Sequence, residues 1–285
     1  MKKDNIRNLL LITTSALMCS SPLYGSLVIY EPFDDLDDPL TGNSTGLGLD
    51  GTWATNDNAF EVAGGLTYGS LVVSGGSAKR TADARAGASA SISSSALSGT
   101  GLLDDGATLW FSVLVGADPS LGSNDRWVMS LGTGTIHSGN VGMSGSGSGI
   151  GFVINGSNGG ALSATTWSGG DETLEDSTTN MLTAGETSLI VGKITWGIGG
   201  SDDTIDLFVV GTDLTLPALA DSSGSAALDQ STFDTLAFAG KDQTQFDEIR
   251  FGTSYDEVVV TAIPEPSSST FVGLTGFALL LRRRR

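Results

Sequence analysis

Apolar residues come in short runs along this chain, and turn formers part them. The runs are Leu27–Tyr30, Leu66–Val73, Ser89–Ser93, Thr108–Val115, Trp127–Leu131, Gly149–Ile154, Leu189–Trp196, Thr204–Val210, Thr232–Ala239, Phe246–Phe251 and Glu257–Ala262. Their length and their β-branched and aromatic content predict strands. In Leu189–Trp196, Ile190, Ile194 and Trp196 share one face, while Lys193 and Thr195 take the other. The tight Gly197–Asp203 turn and the alternating Thr204–Val210 run complete a hairpin. Thr108–Val115 (TLWFSVLV) is apolar on both faces, which predicts a central strand covered on both sides. The stretch 155–185 reads as polar, glycine-rich and irregular. No internal window has a helical period. The expectation is an all-β, antiparallel jelly-roll β-sandwich, with the first strand and the last two closing the sheet edges.

Two terminal segments break the pattern. Met1–Gly25 has Lys2, Lys3 and Arg7 ahead of an apolar stretch from Leu9 to Met18, followed by Pro22 and small residues. This is the form of a signal peptide handed to the Sec export machinery. Cys19 is the only cysteine and lies inside it, so disulfide chemistry is excluded from the rest. At the other end Pro264-Glu265-Pro266 fixes an extended backbone. The uncharged Phe271–Leu281 run and Arg282, Arg283, Arg284 and Arg285 follow. Counted from Ser267 the segment just reaches spanning length, and the arginines hold to the cytoplasmic side.

This tripartite tail resembles the PEP-CTERM sorting signal. The resemblance implies a single transmembrane segment, transient membrane anchoring by the C-terminus and processing by an exosortase-type enzyme. It also implies a surface or extracellular location in bacteria that make exopolysaccharide. The division is then 1–25 signal peptide, 26–262 sandwich and 263–285 sorting signal. A second resemblance covers most of the body. LVIYEPFDD at the start, LIVGKITWGIGGSDDTIDLFVV in the hairpin and FDEIRFGTSYDEV near the end look like LamG-like domains. These belong to the concanavalin A-like lectin/glucanase sandwiches, and the resemblance implies fold more than ligand.

Composition narrows the chemistry. Charged residues are 16% of the chain and glycine numbers 40, against 39% hydrophobic residues, enough for a core. Ser26–Ala262 holds seven basic and thirty acidic residues, a net charge of −23. Such a body repels nucleic acid and attracts divalent cations. Asp34, Asp35, Asp202 and Asp203 are candidates for a structural Ca2+, although no spacing matches a calcium loop. Trp53, Trp127 and Trp167 lie in or beside polar segments and are candidates for a carbohydrate platform; Trp110 and Trp196 read as core.

Enzyme signatures are missing. A glycosidase needs two facing carboxylates. Asp171–Glu175 has the wrong order, and Asp247 and Glu248 should point to opposite faces of a strand. His137, the sole histidine, sits in a Gly/Ser loop, and the Gly/Ser-rich GMSGSG stretch at Gly142–Gly147 has no following helix that would make it a nucleophile elbow. The expectation is a non-catalytic polysaccharide-binding module, with passive structural cargo and a glycoside hydrolase as the alternatives.

Overall fold

The computed structural model describes residues 27–34, 38–56, 60–81, 85–117, 122, 125–133, 147–156, 159–241 and 243–261. The strands, in chain order, are β1 (Ile29–Glu31), β2 (Leu49–Thr55), β3 (Phe60–Gly64), β4 (Gly76–Arg80) and β5 (Ala86–Ile92). Then come β6 (Thr108–Gly116), β7 (Arg126–Gly132), β8 (Gly149–Asn155), β9 (Ala161–Ser168) and β10 (Asp171–Met181). The last five are β11 (Thr187–Thr195), β12 (Asp203–Val210), β13 (Ser222–Ala226), β14 (Thr235–Gly240) and β15 (Gln245–Gly252), followed by one short helix, α1 (Tyr255–Val258).

They form two antiparallel sheets. One has eight strands in the order β13-β12-β11-β6-β15-β4-β3, with β1 also pairing β15. The other has seven, in the order β10-β9-β8-β7-β14-β5-β2. The all-β, two-sheet sandwich is the architecture the alternation predicts. β6 lies inside the eight-stranded sheet, and β1 closes on β15 through Ile29 and Phe251. The β11–β12 hairpin pairs Leu189 with Val210 and Thr195 with Thr204.

Alternate residues of both sheets fill the space between them. Leu109, Phe111 and Val113 of β6 share a core with Trp127, Met129 and Leu131 of β7 and Ile150, Phe152 and Ile154 of β8. Phe111 stacks on Phe152 at 6.4 Å, and Phe238 meets Phe246 at 4.9 Å, both across the sandwich. Such pairs add about 0.5–1.5 kcal/mol each beyond the area they bury. β6 lacks alternation because its other face is covered too. There Leu114 joins Leu189, Val191, Phe208, Val210, Leu214 and Val258 in a second apolar layer.

The structure departs from the alternation in several places, and β2, β3, β4 and β13 fall outside the apolar runs altogether. The polar 155–185 stretch holds two long strands, β9 and β10, whose Thr and Ser side chains hide their period. Leu66–Val73 is no strand but a segment tied down by single contacts, among them the Leu71–Thr261 bridge. Of the Glu257–Ala262 run, residues 257–261 are likewise not a strand, being occupied by α1 and that bridge, and Ala262 lies outside the described residues.

Candidate functional site

The three tryptophans proposed as a platform are all buried. Trp53 is 1% exposed, and Trp127 and Trp167 are fully covered. Trp53 packs against Phe33 and Phe238, and its indole N–H donates to Glu31 at 2.9 Å. The same carboxylate accepts from the Phe33 and Gly46 amides, and burial still pushes its pKa up. Trp127 faces the main core and donates to the Lys241 carbonyl at 3.0 Å. Area explains the correction: an indole between short polar segments is worth more buried than displayed. Trp196 is core as read, whereas Trp110 is only half-buried, on the outer face beside Phe208 and Tyr255.

The aspartates do not assemble a cation site. Asp203 is buried, and its two oxygens accept from the Gly197 and Leu228 amides, so it pins the hairpin turn. Asp202 stays on the exposed turn, Asp34 is exposed after β1, and Asp35 lies outside the described residues. Among the described residues no three His, Cys, Asp or Glu side chains gather as metal ligands would. The segments 1–26 and 262–285, with Pro264, Glu265, Pro266 and Arg282–Arg285, lie outside the described residues, as does His137. Among the described residues no helix is long and apolar enough to cross a membrane.

Asp247 and Glu248 do share a face, contrary to simple alternation. A bulge between Asp247 and Arg250, with Glu248 at φ 52°, shifts the register by one. Phe246 and Ile249 point into the core, and both carboxylates point out. Asp247 accepts from the Leu66 and Glu248 amides. Glu248 accepts from the Ser74 amide and pairs with Arg250, whose guanidinium also reaches the Val72 and Val258 carbonyls. Burial raises the Asp247 carboxyl to about 8 against the pull of its two amide donors. Both carboxylates are 1% exposed or less, beneath the 65–74 segment they hold, so they clasp the chain and are closed to a substrate.

The outer face of the seven-stranded sheet carries a different arrangement. Since Trp127, Met129 and Leu131 face the core, Arg126, Val128 and Ser130 face outward. Val128, Val153, Trp167, Ala237 and Ala239 form an apolar floor there, with Leu174 packed against it. Glu172 lies directly opposite Trp167 on the neighbouring strand and pairs with Arg126. Among the described residues five buried side-chain polar atoms lack a hydrogen-bond partner, and four are on this face. They are Arg126 Nε, Ser130 Oγ, Trp167 Nε1 and Glu172 Oε1; the fifth is Arg250 Nε. Buried polar atoms are nearly always paired, so four unmet ones on one face stand out; Trp167 is fully covered and Ser130 is 1% exposed. Among these residues only Trp167 is a sequence candidate. The alternation of Arg126–Gly132 carries the signal that groups Arg126 with Ser130, but β10 has to be recognised before Glu172 can join them.

No protein-family model matches the chain, and no curated protein is similar to it in sequence. Among solved structures, the globular domain of T. cruzi calreticulin is 12% identical, covering 90% of this chain and 99% of that one, with a TM-score of 0.45. A legume lectin-like domain from Entamoeba histolytica is 10% identical over 71% of this chain and 90% of that one, TM-score 0.41. Alginate lyase vAL-1 from a Chlorella virus is 9% identical over 69% and 93%, TM-score 0.42. The likeness is one of general outline, shared with binding domains and an enzyme alike.

Proposed function

We propose that this chain is an exported, envelope-sorted bacterial surface or matrix component whose sandwich binds carbohydrate without cleaving it. The observation that carries the binding reading is the partly exposed Arg126–Glu172 pair on the outer face of the seven-stranded sheet, where each partner also holds an unmet polar atom. Hydroxyl-rich ligands supply both donors and acceptors to such a set. The export reading rests on Met1–Gly25, which has the form of a signal peptide passed to the Sec machinery, and on the Pro264-Glu265-Pro266 tail, which resembles an exosortase substrate. A net charge of −23 on the body favours neutral over anionic glycans and disfavours nucleic acid. Against hydrolysis stands the burial of the Asp247–Glu248 pair.

A glycan array probed with the full chain tests this reading. Binding to neutral polysaccharide, lost in Glu172→Gln, is the expected result. Retention of no glycan at all would leave the passive structural role, which the burial of Trp53, Trp127 and Trp167 favours. Release of reducing sugar from β-glucans would overturn the non-enzymatic part.

A further inference from the structure

The turn that follows β5, residues 93–100, borders two open clefts, and Ser93 lines both. The first holds about 300 Å³ between Leu27, Leu47, Asp50, Ser95 and Thr100. The second holds about 210 Å³ between Ser94, Ser98, Ser231, Thr232 and Asp234. Asp50, Ser95, Ser98, Ser231, Thr232 and Asp234 are all exposed. Asp50 belongs to β2 at one edge of the seven-stranded sheet, and Glu172 to β10 at the other, so the clefts are apart from the Arg126–Glu172 pair.

Most hydroxyl protons in these clefts are already committed to the protein. The Thr100 hydroxyl donates to the Ala96 and Leu97 carbonyls, both at 2.8 Å. Ser98 donates to the Ser94 carbonyl, Ser231 to the Asp229 carboxylate and Thr232 to the Asp229 carbonyl. Ser93 and Ser95 share one hydrogen bond at 3.0 Å, which uses one of their two protons. A hydroxyl whose proton is bonded keeps its lone pairs and can only accept. The carboxylates of Asp50 and Asp234 add further acceptors, one Asp234 oxygen being taken by the Thr235 hydroxyl. Both clefts therefore call for a ligand rich in donors. Leu47 is 59% exposed and, with Leu27, gives the first cleft an apolar wall.

Ligand classes separate on these demands. An anion meets only acceptors, because among the described residues no lysine or arginine lines either cleft. A divalent cation needs about six to eight oxygens, with carboxylates among them, and no three acidic side chains gather among the described residues. An amine donates, but each cleft offers it one carboxylate among several neutral hydroxyls. A neutral sugar donates through every hydroxyl and has an apolar C–H face to lay against Leu27 and Leu47. Pockets for small ligands begin at about 300 Å³, so each cleft has room for a single sugar unit. We infer that the two clefts take units of one neutral polysaccharide chain, which passes over Ser93 from one to the other. The inference rests on the carbohydrate-binding reading above and adds a second site to it. A long chain then reaches both this site and the Arg126–Glu172 pair, and its retention depends on engaging the two together. Short oligosaccharides report on the clefts alone.

Calorimetric titration of the full chain with sugars of one to four units makes the test, in three series: β-1,4-linked glucose, β-1,3-linked glucose and β-1,4-linked mannose. In at least one series affinity should rise about tenfold or more between one unit and four, the worth of one or two added hydrogen bonds. Asp50→Ala removes an acceptor from the first cleft, and Ser95→Trp fills that cleft from an exposed turn position. Each should return the four-unit sugar to the affinity of a single unit, with thermal melting as the check that the variant is folded. Glu172→Gln should leave the gain with length unchanged. A gain that survives both folded cleft variants, or that Glu172→Gln abolishes, overturns the placement. No gain in any series overturns the inference, and binding on the glycan array then decides separately whether the carbohydrate reading stands. Spermidine is the amine control: binding tighter than that of any four-unit sugar, and lost in Asp50→Ala, would overturn the neutral-sugar assignment.

Discussion

Asp247 concentrates an energetic conflict in one side chain. Its two backbone donors favour the carboxylate, and burial favours the acid more strongly, so its pKa rises from 3.8 to about 8. Between those values the folded chain holds a proton that the unfolded chain has released. This contribution to stability is complete below about pH 4 and is lost as pH rises through 8. One proton gives a slope of at most about 1.4 kcal/mol per pH unit. Urea midpoints should therefore fall from pH 5 to pH 8. Asp247→Asn should flatten that fall without abolishing it, because Glu31 is also raised by burial and acts with the same sign. An unchanged slope in the variant would refute the assignment. The neighbouring Glu248–Arg250 pair is 1% and 3% exposed in its side chains. Arg250→Met strands a buried carboxylate and should cost about 3–5 kcal/mol, whereas Arg250→Met with Glu248→Gln should cost much less. A double-mutant cycle in urea measures the difference.

Strands announce themselves in the sequence by apolar residues on at least one face, either alternating with polar ones or, as in β6, in an unbroken run, and this separates the elements that could be read from those that could not. β6, β11, β12 and β15 carry Ile, Leu, Val and Phe on the core face and are legible. β9 (ALSATTWS) and β10 (DETLEDSTTNM) carry small hydroxyl and acidic residues, so their pairing is visible only in three dimensions. The Glu248 bulge is hidden for a related reason: one left-handed residue reverses alternation and leaves no compositional trace. The candidate face was half legible, through Arg126–Gly132, and half concealed with β10. β13 (SSGSA) is equally silent, yet it joins the two sheets at one edge. The Ser222 hydroxyl accepts from the Ala164 amide at 2.8 Å and donates to the Glu175 carbonyl, inserting into the β9–β10 ladder. Ser222→Ala leaves both groups short of a partner and should cost about 1–3 kcal/mol. Faster hydrogen exchange should appear in β9, β10 and β13 while β6 stays protected; uniform loosening of both sheets would contradict a local role.

Charge and geography join the two ends of the chain to the sandwich between them. The whole chain carries −18 and its body −23, because seven of its fourteen basic residues lie in Met1–Gly25 and Arg282–Arg285. An acidic, disulfide-free sandwich owes its stability to core size and gains solubility from its charge. On the proposed export reading the basic ends serve a different purpose, since positive residues flanking apolar segments orient a chain in a membrane. On that reading, removal of both segments leaves the body with its full negative charge. That predicts the intact mass of the protein recovered from its native envelope: below the 29.1 kDa of the whole chain by the weight of the N-terminal segment and part of the tail. An unprocessed 29.1 kDa chain found soluble in the cytosol would remove the export reading. The sandwich and the unmet polar atoms on its seven-stranded sheet would stand in either case, because they depend on how residues 27–261 pack and not on where the chain is sent.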